Sequence, residues 1–242
     1  MRIGFISDIH ANIHALRACW SALLERDVDR VVCLGDLVGY GATPGEVIAF
    51  LRERRVPVML GASDARVAFD LGAVPNKRAG VSEQTLAWTH GILAADDMTY
   101  LRTLKMRDKI NTASGRIRYF HGMPDDPDGR LDLQGKAAYL DGILGELNCR
   151  VIVAGSTHVP FLRRTPHGLF VNPGSVGLSL NGEPGADCAI LEDEPDAEMK
   201  VNLIKVPYDF HAAAFDILTW GLPPLIATVI KTGSMPSKLH NG

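Results

Sequence analysis

Short β-branched apolar runs alternate with segments of helical period through the first part of the chain. Ile3 to Ile6 predicts a first strand, and Asn12 then stands as a cap before Ile13, Leu16, Trp20, Leu23 and Leu24, spaced to share one helix face. Val31 to Leu34 predicts a second strand. Thr43 and Pro44 take cap and first-turn positions of a helix through Leu51, and Val56 to Leu60 predicts a third strand. Two further helices are predicted at Ser82 to Leu93 and Asp96 to Leu104, with Trp88 and Ile92 turned to the core. The texture then changes. Arg116–Phe120, Val151–Ala154, Phe161–Arg164, Gly168–Val171, Ser175–Leu180, Cys188–Leu191 and Val201–Val206 all have strand character, with one helix near Gln134 to Leu147. No linker, repeat or low-complexity tract separates the halves. The pattern predicts one α/β domain over residues 1–242, with two sheets packed on each other and flanked by helices.

Composition narrows the classes. The 242 residues can bury a sizeable core, and 22% charged residues with a net charge of -3 and no long run of either sign give no nucleic-acid footprint and no anionic-membrane patch. Four single cysteines, Cys19, Cys33, Cys149 and Cys188, form no disulfide framework or zinc knuckle, as expected of a reducing compartment. The run AAAFDILTWGLPPLIATVI is broken by Asp216, Gly221 and a Pro-Pro pair, and the first residues reach Asp8 too soon for a signal-peptide core. A cytoplasmic location is the expectation.

Chemistry gathers where strands end. Asp8 and His10 lie two apart, which on extended backbone turns both side chains to one face. Asp36 follows Leu34-Gly35, where the glycine would let the backbone approach an ion closely; His121 follows IRYF; His158 closes Gly155-Ser156-Thr157 after VIVA. Each alone is ordinary turn chemistry. Together they form a mixed oxygen and nitrogen set suited to manganese, iron, zinc or nickel.

The series Asp8-Ile9-His10, Gly35-Asp36, Gly61-Ala62-Ser63-Asp64, His121-Gly122 and Gly155-Ser156-Thr157-His158 resembles the motifs of the calcineurin-like metallophosphoesterases. The likeness continues through LVGYG at Leu37, VNPGSVG at Val171 and VPYD and GLPP from Val206, and is nearest to small bacterial and archaeal phosphodiesterase-like members. It implies a four-layer α/β/β/α sandwich with two mixed β-sheets. It also implies two metal ions at the strand ends, which activate a water for in-line attack on phosphorus.

Against that pattern three residues depart. Ala62 stands at a metal-binding asparagine position, Ser63 at that of the catalytic histidine, and Ser156 at that of another ligand histidine. By resemblance, the first ion would use Asp8, His10, Asp36 and His158, whereas the second would keep only Asp36 and His121. An alanine methyl has no lone pair, and a serine hydroxyl replaces imidazole poorly. The expectation is one firmly bound divalent transition metal and a second weak or absent. The function implied is hydrolysis of phosphodiesters or nucleotide-type phosphate esters, impaired by the incomplete second site. The alternative is an inactive pseudo-phosphoesterase that binds a phosphate or nucleotide ligand. Tyr40, Arg66, Lys77 and Arg78 could reach a phosphate or stack on a base, and the sequence assigns them no role.

Overall fold

Hydrogen bonding sorts the strands into two mixed sheets in the computed structural model, which describes residues 1–69, 79–194 and 197–236. Lys77 and Arg78 lie outside the described residues. The strands are β1 (Arg2–Ile6), β2 (Arg30–Cys33), β3 (Arg107–Thr112), β4 (Gly115–Phe120), β5 (Val151–Ala154), β6 (Phe161–Arg164), β7 (Leu169–Asn172), β8 (Ala186–Glu192) and β9 (Lys200–Val206). The helices are α1 (Ile13–Leu24), α2 (Pro44–Glu53), α3 (Ala62–Ala68), α4 (Val81–Ile92), α5 (Ala95–Arg102), α6 (Ala137–Glu146), α7 (Phe210–Thr219) and α8 (Pro224–Thr232). One sheet runs β2-β1-β8-β9 and the other β3-β4-β5-β7-β6. In the first, β1 is parallel to β2 and antiparallel to β8, so Arg2 faces Glu192 across the ladder. In the second, β4, β5 and β7 are parallel, and β3 and β6 close the two edges antiparallel.

Alternation along these strands builds the layers. Ile3 and Phe5 of β1 and Ala189 and Leu191 of β8 meet Ile117, Tyr119, Val151, Val153, Leu169 and Val171 between the sheets. Phe5 and Tyr119 pack edge to face at 6.0 Å across that seam. Outside the first sheet, Ile6, Cys33, Cys188 and Ile190 are covered by Leu16, Cys19 and Leu23 of α1 and Val47, Ile48 and Leu51 of α2. Outside the second, Ile152, Ala154 and Phe170 are covered by Leu140 and Leu144 of α6. The result is the α/β/β/α sandwich. Helices α7 and α8 form an apolar cluster of their own with Ala42 and Leu178. Among the described residues no helix is long and apolar enough to cross a membrane.

Several local expectations are corrected. Val56 to Leu60 is not a full strand: Val58 bridges Cys33 and Met59 bridges Lys105, so the segment touches a neighbour on each side through single bridges only. Ser175 to Leu180 is a loop: Val176 N and Gly177 N turn toward Ser7 O and Asp8 O after β1, Leu178 N bonds back to Ser175 Oγ, and Leu180 N goes to His158 O. Leu24 is 55% and Ile92 46% exposed, each sitting at the last turn where its helix leaves the core. Asn12 does cap α1, accepting from Ala15 N at 3.1 Å, worth about 1 kcal/mol. Thr43 does not cap α2 with its side chain. Its hydroxyl instead donates to Ala11 O at 2.7 Å and accepts from Ile13 N at 3.2 Å, which ties the starts of α1 and α2 together.

Candidate metal centre

β1 ends at Ile6, and the chain then turns beside the loop that follows β2. Asp8 N donates to Gly35 O, His10 N to Asp36 O and Ala11 N to Leu37 O, a short ladder between two loops. Asp8 and His10 do not reach one point through extended backbone: both are left-handed, with φ 53° and 47°. Asp36 (φ 53°) and His158 (φ 60°) are left-handed too. Each such residue costs about 1–2 kcal/mol, and four at one site mark strain held by the surrounding bonds. Gly35 serves a close approach of a different kind from the one its position suggests. A Cβ there would lie 2.5 Å from Gly61 N, and a Cβ on Gly61 would lie 2.0 Å from Asp36 N, so the pair lets two loops interlock.

These turns bring all five sequence-predicted ligands together. Asp8, His10 and His158 form one group and Asp8, Asp36 and His121 another, with the donor atoms of each within 4.8 Å of one another. Asp8 Oδ1 lies 3.2 Å from His158 Nε2 and 3.9 Å from the Nε2 atoms of His10 and His121. Asp36 Oδ2 lies 3.5 Å from His121 Nε2 and 3.7 Å from His10 Nε2. His10 and His158 bring their Nε2 atoms to 3.1 Å.

The three imidazoles are oriented alike. His10 Nδ1 meets Val38 O at 3.2 Å, His121 Nδ1 meets Leu34 O at 3.2 Å, and His158 Nδ1 meets Leu178 O at 2.8 Å. A carbonyl only accepts, so each Nδ1 carries the hydrogen and each Nε2 faces the centre, as metal-binding histidines are held. Asp8 is fully buried, and its Oδ1 has no hydrogen-bond partner among the described residues. A buried carboxylate oxygen without a donor costs several kcal/mol unless a cation meets it. The donor set and the orphan oxygen fit a divalent transition metal.

Electrostatics follow from burial opposed by neighbours. Burial depresses His10, and the charge of His158 adds to it, bringing the imidazole down to about 4. Burial would also lower His121, but Asp36 and Asp8 overcome it and push it up to about 10. His158 is raised against burial by Asp8. Burial works to raise Asp8, yet His158 and His121 hold it below the usual carboxylate range, and Asp36 is likewise held low by His121.

The departing residues have their own places. Ala62 opens α3 and contributes a methyl group. Ser63, buried, donates its N–H to Asp36 Oδ1 at 2.8 Å and its hydroxyl to Asp36 Oδ2 at 3.2 Å. Ser156 (φ 72°) donates its N–H to Asp8 Oδ2 at 3.1 Å. Asp64 is no ligand: Oδ1 accepts from Leu37 N and Val38 N and Oδ2 from Gly61 N, which pins the loop after β2 onto α3. Burial, with Asp36 nearby, pushes its carboxyl up to about 7 against those donors.

Sequence reasoning gave no role to the residues that hold the Asp8 turn from the far end of the chain. Ser175 Oγ donates to Asp8 O at 2.7 Å, Val176 N to Ser7 O and Gly177 N to Asp8 O. Asn172 Nδ2 donates to Gly155 O and Thr157 Oγ1, fixing the loop that carries His158. The signal was the polar and glycine-rich VNPGSVG directly after an apolar strand. A surface cavity of about 580 Å³ lined by Arg150, Arg164, Thr165 and Met199 lies by the starts of β5 and β7, at the end opposite the ligands.

Comparison with known proteins agrees with this geometry. The family model of the calcineurin-like phosphoesterase superfamily domain matches residues 1–195. An uncharacterized protein of Methanocaldococcus jannaschii is 27% identical over 91% of this chain and 93% of its own length. Among solved structures, a metallophosphoesterase from Sphaerobacter thermophilus is 28% identical, with a TM-score of 0.78 over 96% of this chain and 99% of its own. A protein of Pyrococcus horikoshii OT3, 23% identical, shares the fold with a TM-score of 0.85 over 97% and 99%.

Proposed function

The chain belongs to the calcineurin-like phosphoesterase superfamily, and from that premise we propose that it hydrolyses phosphate esters, either phosphodiesters or nucleotide-type esters. The observation that carries this reading is Asp8 Oδ1, buried without a donor and faced by three Nε2 atoms. Asp8, His10, Asp36 and His158 would hold one divalent ion, manganese or a similar metal. Asp36 and His121, with Asp8 as the third donor of that group, would hold a second ion weakly. A divalent ion bound there supplies Lewis acidity at the phosphoryl group and a water acidic enough to attack near neutral pH.

The chain's own residues do the rest. The carbonyls of Val38, Leu34 and Leu178 fix the imidazoles, and Ser156 N and Ser63 N hold the two carboxylates in place. Ser63 gives its hydroxyl proton to Asp36, so it offers none to a departing oxygen. Leaving groups must therefore depart with little help, which favours aryl over alkyl esters; loss of a positioned acid costs on the order of 10² to 10⁴ in rate.

That same Ser63 contact favours a second reading, in which the protein binds a phosphate or nucleotide without turning it over. Elemental analysis of protein purified without chelator, together with an assay on an aryl phosphodiester, tests both. The expected result is a ratio nearer one than two metals per chain and manganese-dependent turnover lost in Asp36→Asn, with Asp8→Asn emptying the site. Metal and phosphate binding without turnover under any ion would select the binding reading.

A further inference from the structure

We infer that Tyr40 is a specificity residue that seats the leaving group of the substrate, and that this group is planar and aromatic. The inference rests on the reading of the centre as a phosphoesterase site and adds a substrate class to it.

Tyr40 is a bulky residue in the left-handed region, φ 60°, where such side chains are outliers. Its neighbours could have carried that conformation instead. Gly39 has φ 83°, and Gly41 packs so tightly on the Asp8 turn that a Cβ there would lie 2.2 Å from His10 O. The strained backbone aims the ring at the metal centre: it meets the His10 imidazole edge to face, centroids 4.8 Å apart and planes at 85°. Among the described residues none hydrogen-bonds its hydroxyl, and the residue is half-buried.

Tyr40, Leu180, Val81 and Trp88, all partly buried, each pack against the apolar cluster of α7 and α8. Leu180 N donates to His158 O, so Leu180 also borders the most exposed ligand, His158, whose side chain is 12% exposed. A phosphoryl group at the centre would thus place its ester substituent, among the described residues, toward aromatic and aliphatic side chains. Aromatic faces bind planar rings by stacking and edge contacts, and do so for a phenol or a nucleobase alike.

The test uses the manganese-loaded protein and two probe pairs that differ in the ring, read by calorimetry. Phenylphosphonate is set against cyclohexylphosphonate, and adenosine 5′-monophosphate against ribose 5-phosphate. The expected result is about ten-fold tighter binding of the planar member of at least one pair, and the pair that shows it tells a phenol-like from a nucleoside substrate. Tyr40→Phe should keep the preference. Tyr40→Asn, which accepts the left-handed backbone without a ring, should cut it to within about two-fold while metal content and inorganic phosphate affinity stay unchanged. Absence of any preference in the unaltered protein overturns the inference, as does equal weakening of both members in Tyr40→Asn, which is what a displaced His10 would give. Aryl diester turnover without a ring preference would sink the seat alone. A ring preference without turnover of any ester would sink the hydrolytic reading and leave the seat standing.

Discussion

Gly177→Ala tests whether the turn carrying Asp8 and His10 depends on the loop after β7. A methyl at this position would sit 1.8 Å from Ile9 O, 2.6 Å from Ile9 C and 3.0 Å from Asn12 Cβ. Two of those atoms are backbone, so the loops must part by more than about an ångström, since such contacts do not occur below 3.0 Å. Four hydrogen bonds cross this contact: Gly177 N to Asp8 O, Val176 N to Ser7 O, Ser175 Oγ to Asp8 O and Asn12 Nδ2 to Gly177 O. Overpacking costs about 1–3 kcal/mol. Losing two of the four bonds adds about 2 kcal/mol. The sum is a loss of about 3–5 kcal/mol. Urea unfolding of chelator-treated protein should show it as a lower midpoint at constant slope, with weakened metal uptake in a separate titration. Gly142→Ala in α6, where an added Cβ meets nothing within 4 Å, is the control and should be neutral or gain up to about 1 kcal/mol. A loss below about 1 kcal/mol with normal metal uptake would refute the argument that these two loops are locked.

Metal uptake should strengthen as pH rises and release protons, because the raised His158 must shed its own to bind the firm ion and His121, pushed up to about 10, must do so before a second is held; calorimetry in buffers of different ionisation enthalpy measures this, and pH-independent uptake would contradict it. In the metal-free protein the raised His121 contributes stability that is full below about pH 6.5 and disappears as pH rises through about 10, so urea midpoints should fall over that window after other titrations are subtracted using His121→Gln. Ser63→Ala removes a hydroxyl bonded to a carboxylate and should cost about 1.5–3 kcal/mol on thermal melting. Ala62→Asn, Ser63→His and Ser156→His together should raise the metal ratio toward two and the aryl diester rate by more than the product of the single changes, whereas additive gains would mean that the three positions do not act as one site.

The candidate ligands were legible because each ends or follows an apolar run, and strand ends on one edge of a sheet converge whatever the detailed backbone. How they converge was not legible. The Asp8-x-His10 spacing suits extended chain, but the turn is built from left-handed residues that only the ladder with Gly35, Asp36 and Leu37 sustains. β3 was missed because RDKINT is a polar edge strand with a single buried residue, Ile110. Helix α3 was read as motif alone, since Gly61 and the side chain of Asp64 start a helix of only seven residues. Ser175 to Leu180 looks like a strand by its alternation, and nothing in that alternation reveals that Val176 N, Gly177 N and Ser175 Oγ are spent on Ser7 and Asp8 instead of a ladder.

The bond from Ser175 to Asp8 spans 167 residues, and it orders events during synthesis. Asp8, His10 and Asp36 leave the ribosome early, but the turn that presents them gains its far support only after Gly177, and β1 acquires its second neighbour only with β8. At about 5–20 residues per second, the amino-terminal ligands wait roughly 10–30 s as a loose half-site. A metal cannot template this fold from its first ligands. Its full donor set exists only once His158 and the loop through Gly177 have been made, so loading of the centre falls late in synthesis or after it, when most of the fold is already committed.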